Sequence, residues 1–187
     1  MLNPYERCPK YENENYMLRM VSKKDKKDLL KVYSDEKAVP FFNSDNCGGD
    51  DFHYTTETRM EQAIEFWLWE YGRQGFVRWT IVSKTDNKAI GTIEVFNRKA
   101  DDYFNNCGLL RLDLRSDYEL EENIFEILSL IIPSVFKLFK CQIIAIKIPS
   151  FASERKLAIL RLGFVASEEK LIGHDKKIYT DYYVLQE

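Results

Sequence analysis

Between residues 116 and 122 the chain reads Ser-Asp-Tyr-Glu-Leu-Glu-Glu, a short polar turn that joins an alternating strand to the longest apolar-periodic helix. If the chain has a ligand site, this turn is where it belongs. A helix N-terminus offers an anion free backbone N–H groups and the positive end of the helix dipole. Glu119, Glu121 and Glu122 oppose that use, because a unit charge about 4 Å from a phosphate repels it by ~1 kcal/mol in water and ~4 kcal/mol near a protein surface. The same carboxylates suit the helix itself, since acids in a first turn stabilise it by roughly 0.3–1 kcal/mol each. Ser116 and Glu119 have capping-box spacing, and Leu120 extends the apolar series back from Ile124 by one turn. On that reading the helix starts near Asp117 and fills the space an anion would occupy.

The elements that position this turn are legible from their periods. Leu110, Leu112 and Leu114 alternate with Arg111, Asp113 and Arg115, which predicts a half-buried strand. Ile124, Ile127, Leu128, Ile131, Val135 and Leu138 follow helical spacing, and Pro133 is expected to kink or split that helix. Residues 142–148 are nearly continuous in β-branched apolar side chains, as in a parallel strand covered on both faces. A short helix follows, capped by Ser150 or Ser153 and closed by Gly163. Upstream, residues 16–21 predict a first strand, Met60 to Tyr71 a second helix, and residues 76–82 and 89–96 an antiparallel hairpin. Residues 178–185 predict a last strand.

Composition bounds the rest. A chain of 187 residues, 45% hydrophobic and 14% aromatic, suits one globular domain, 16–187, behind an irregular polar arm, 1–15. A net charge of −3 gives no broad attraction to nucleic acid or an anionic membrane, and the Lys23 to Lys27 run reads as a solvated helix face. Cys8, Cys47, Cys107 and Cys141 are too dispersed for a zinc site or a disulfide framework, so no metal is expected. No signal-like or membrane-spanning run is present, which makes a cytoplasmic location the expectation. The loop 41–55 carries Asp45, Asp50 and Asp51, which could receive a cationic amine but read better as solvated acids.

The strand-turn-helix-strand unit, followed by a helix ending in Leu162-Gly163-Phe164, resembles the GNAT superfamily of acetyl-CoA-dependent N-acetyltransferases, and especially the ribosomal-protein-alanine N-acetyltransferases. The resemblance spans roughly residues 16–185 and includes Gly91 at the start of a strand. It implies a single-domain α/β (α+β) fold, a mixed central sheet of about six to seven strands flanked by helices, with the central strands splayed. It also implies acetyl-CoA as co-substrate, with Leu112 and Leu114 along the pantetheine arm. Leu120, Glu121, Glu122, Asn123 and Ile124 would then lie at the pyrophosphate turn, and Ser153 at the following helix. The two glycines of the family's turn fall on Leu120 and Glu122, its helix-opening Asn on Ala152, and its general-acid Tyr on Ile159.

Acetyl transfer needs a base near the cleft, for which Glu94 and then Asp113 are the candidates; either could instead pair with Arg111 or Arg115. Tyr182 or Tyr183 could supply the acid. The acceptor would be a small-molecule or peptide amine, without nucleic acid or membrane, and the protein a monomer or homodimer. The altered turn supports two alternatives: a GNAT fold serving as an interaction or ligand-sensing module without coenzyme A, and a cleft for a less phosphorylated acyl donor.

Overall fold

The computed structural model describes residues 3–187. Its elements begin with β1 (Tyr11–Glu12), β2 (Tyr16–Met20), α1 (Lys26–Tyr33), α2 (Glu57–Gly72), β3 (Val77–Ser83) and β4 (Lys88–Arg98). The central unit is β5 (Cys107–Leu114), α3 (Glu121–Phe139) and β6 (Ile143–Lys147). After it come α4 (Ser153–Arg161), β7 (Val165–Ala166), β8 (Leu171–Ile172), β9 (Ile178–Tyr179) and β10 (Tyr182–Gln186). Eight strands form one sheet in the order β1-β2-β3-β4-β5-β6-β10-β7, while β8 and β9 make a separate ribbon. The expected mixed sheet is present, lengthened to eight strands by the two-residue edges β1 and β7.

Among the described residues only β5 and β6 run parallel, joined by the α3 crossover, and they pair over Gly108 to Leu110 against Ile144 to Ile146. Beyond Leu110 the two strands part. On its other edge β5 stays paired to β4 along its whole length, from Arg98 opposite Cys107 to Gly91 opposite Leu114. Gly91 permits that approach, since a Cβ there would lie 2.2 Å from the Asp113 carbonyl oxygen.

Alternation assigns the two faces of the sheet. Leu18, Trp79, Ile81, Ile93, Leu110 and Leu112 pack with Ile124, Ile127, Leu128 and Ile131 of α3. Tyr33 of α1 packs with Met60, Ile64 and Trp67 of α2 in a second cluster. Arg78, Thr92, Glu94, Arg111 and Asp113, all buried, alternate with the α3-facing residues and so point to the other face. Because α1 and α2 cover that face, β5 is buried at every position rather than half-buried.

Three local expectations are corrected. Residues 116–118 form a separate 3-10 turn, and α3 starts at Glu121 with Leu120 as an extended N-cap, so Ser116 forms no capping box with Glu119. Pro133 leaves α3 unbroken over 19 residues, because it lies on the exposed side where water can replace the lost hydrogen bond. Ala152, not Ser150 or Ser153, is the N-cap of α4 and makes no side-chain cap bond.

Candidate functional site

The gap beyond Leu110 is closed by side chains. Arg155 of α4 is 2% exposed, and Glu119 of the turn is 8% exposed. Both Glu119 carboxylate oxygens accept from Arg155, through Nε at 2.8 Å and through Nη2. Arg155 Nη1 also donates to the Leu112 carbonyl at 2.9 Å and to the Phe41 carbonyl at 3.0 Å. One guanidinium thus joins α4, the turn, β5 and the 41–55 loop across the opening between the central strands.

The turn is occupied in the same way. The Glu121 N–H donates to Glu154 Oε2 at 2.8 Å, so a carboxylate already sits on an amide at the start of α3. Arg161 Nη1 binds Glu121 at 2.8 Å and Glu122 at 2.6 Å, turning both acids toward α4. Asn123 accepts from the Tyr16 hydroxyl at 2.9 Å, and the Ile124 N–H returns to the Leu120 carbonyl. The Leu112, Leu114 and Ile124 side chains are in the core, whereas Leu120 and Ser153 are exposed. Of the charged side chains around them, Glu119 and Arg155 are buried, while Glu154 and Arg161 lie exposed over the start of α3.

Glu94 and Asp113 lie on the opposite face, each 1% exposed. Glu94 is gripped by Arg78 and by Arg111, whose Nη1 is 2.7 Å away. Burial pushes its pKa up, but the two guanidinium charges outweigh this and hold it below the usual carboxylate range. Asp113 Oδ2 accepts from Tyr33 at 2.7 Å and from Arg78 at 3.2 Å, while Oδ1 has no partner among the described residues. Burial dominates there and raises its pKa.

The 41–55 loop seals the far side. Asp45 is buried rather than solvated: its carboxylate meets Lys147 at 2.6 Å and accepts from Tyr182 at 3.1 Å. Burial, with Asp45 beside it, raises the Tyr182 pKa. Arg111 Nη2 donates to the Asp45 carbonyl at 2.9 Å. Beside this lies a cavity of about 700 Å³, with Arg78, Glu94 and Arg111 against aromatic walls that include Phe52, Trp67 and Phe96.

Sequence reasoning missed Arg78 and Arg155. Arg155 carried a signal, because positions 155, 158, 159 and 162 form the covered stripe of α4 and a charge there needs a buried partner. Arg78 shares the alternation of Thr80 in β3 and is drawn inward by the acids across β4 and β5.

No protein-family model matches the sequence, and no curated protein matches it. Solved structures match over almost all of the chain. The ribosomal-protein-S5-alanine acetyltransferase from Vibrio fischeri superposes with a TM-score of 0.69 at 17% identity, over 94% of each chain. The acetyltransferase (GNAT family) from Bacillus anthracis gives 0.67 at 13% identity, over 95% of this chain and 98% of its own. The microcin C7 self immunity acetyltransferase MccE, in complex with acetyl-CoA and AMP, gives 0.69 at 15% identity over 94% of each chain. With the parted central strands and the helix ending in Leu162-Gly163-Phe164, this likeness establishes that the chain has the GNAT acetyltransferase fold.

Proposed function

We propose that the protein is a GNAT-fold ligand-sensing or interaction module that works without coenzyme A. The observation behind this reading is the buried Arg155–Glu119 pair on the Leu112 carbonyl, in the gap where the fold would place a pantetheine arm. Seating that arm would compete with the Arg155 bond to the Leu112 carbonyl, in a pair from which removing either partner costs about 3–5 kcal/mol. At the pyrophosphate end a diphosphate would meet Glu154 on the Glu121 N–H, with Glu121 and Glu122 alongside. The cavity beside Arg78 and Arg111 remains as the binding surface.

The test is a thermal-shift titration with acetyl-CoA to millimolar concentration, and the expected result is no shift. A donor at 100 times its Kd would add about 2.7 kcal/mol, which for a chain of this length raises Tm by ~5–11 °C. A rise of that size overturns the reading.

A second reading, acyl-CoA-dependent transfer of an acetyl group to a small-molecule or peptide amine, is favoured by the likeness to a structure that holds acetyl-CoA. In it the donor would run past Leu112 and Leu114 to the turn at Leu120 to Ile124 and to Ser153, with Glu94 or Asp113 as the base. It requires the Arg155 contacts to open, and the titration decides between the two.

A further inference from the structure

We propose that the cavity over β3, β4 and β5 binds a planar organic carboxylate, its acid group against Arg78 and Arg111 and its ring between the aromatic walls. The proposal deepens the module reading by naming the class of ligand.

The floor has more donors than the protein satisfies. Arg78 and Arg111 are 2% and 8% exposed, and the Nε–H of each has no acceptor among the described residues. Buried donors left unmatched cost free energy, so the pair favours an occupant rich in acceptors. The two guanidinium groups share one carboxylate, Glu94. Asp113 also accepts from Arg78, through Nη1 at 3.2 Å, and leaves the Arg78 Nε–H unmatched. The other acids bordering the cavity have cations of their own: Asp50 meets Arg59 at 2.6 Å, and Glu70 lies 3.7 Å from Arg73. Two unmatched guanidinium N–H groups therefore lie at the floor while the acids of the rim are paired, which suits an anionic, acceptor-rich head and disfavours an amine.

The walls define the body of the ligand. Arg78 stacks on Trp67 at 4.1 Å and Arg111 on Phe96 at 5.5 Å, so flat apolar surface begins beside both guanidinium groups. Phe66 extends it to the mouth, where it is 51% exposed. A cavity of about 700 Å³ is within the range that encloses small organic ligands.

Three probes that share a ring system and differ in head group test this: naphthoate, naphthamide and naphthylmethylamine, titrated into the full chain by calorimetry. Naphthoate is expected to bind at least tenfold more tightly than the amide, and the amine most weakly. Phe66→Lys should bind naphthoate several-fold more tightly than Phe66→Glu, both at unchanged Tm because the side chain is at the surface. Arg111→Gln should abolish binding, and the Phe66 pair keeps the question open to decision if that variant does not fold. Equal or tighter binding of the amide or amine, no binding of any probe, or naphthoate binding insensitive to charge at position 66 overturns the proposal. The acetyl-CoA titration is read separately, so failure here and failure of the module reading give different results.

Discussion

Replacing Arg155 with Ala removes in one step a guanidinium that makes four hydrogen bonds across the central gap, two to Glu119 and one each to the Leu112 and Phe41 carbonyls, and that stacks on the Phe41 ring at 5.4 Å. The variant strands the Glu119 carboxylate in a site 8% exposed. Breaking a buried pair from one side costs about 3–5 kcal/mol, which corresponds to a Tm lower by ~6–20 °C for a chain of this length. Removing both charges with Glu119→Gln and Arg155→Met keeps the volume and should recover most of that loss, since apolar replacement of a whole buried pair is often neutral or better. The assay is urea unfolding of wild type, both single variants and the double variant, read as a double-mutant cycle. A coupling energy below about 0.5 kcal/mol, the additivity limit for independent sites, would show that the pair is loose and would remove the ground for a closed gap.

Two further perturbations test the sheet. Gly91→Ala places a Cβ 2.2 Å from the Asp113 carbonyl oxygen, so β4 and β5 must move apart; a loss of about 1–3 kcal/mol, typical of overpacking, is expected in urea unfolding. The raised pKa of Asp113 means the folded state holds its proton more tightly than the unfolded chain, so this group's contribution falls as pH rises from its unfolded pKa through its folded one. Asp113→Asn should remove that decline from a stability-against-pH curve, and an unchanged curve would refute the assignment.

Much of the fold was legible because it rests on period. The leucines of β5, the stripe of α3 and the β-branched run of β6 specify strand, helix and strand, and the run of β6, apolar without alternation, points to a parallel strand covered on both faces. The site was legible in position but not in state. Glu121 and Glu122 can be counted from the sequence, whereas their turning toward Arg161 depends on how α4 packs against α3. The burial of Asp45 was hidden for the same reason: a loop rich in Asn, Asp and Gly reads as solvated until Lys147 and Tyr182 are placed beneath it. Glu94 and Asp113 were found as acids on neighbouring strands, but the cation that binds both, Arg78, comes from β3 on the far side of β4.

The Arg155–Glu119 lock also constrains how this molecule can change by mutation. Losing the arginine first leaves a sealed-in anion, and losing the glutamate first leaves a sealed-in cation, so either order passes through an intermediate about 3–5 kcal/mol less stable. The gap between the central strands is therefore opened one substitution at a time only by way of a weakened protein.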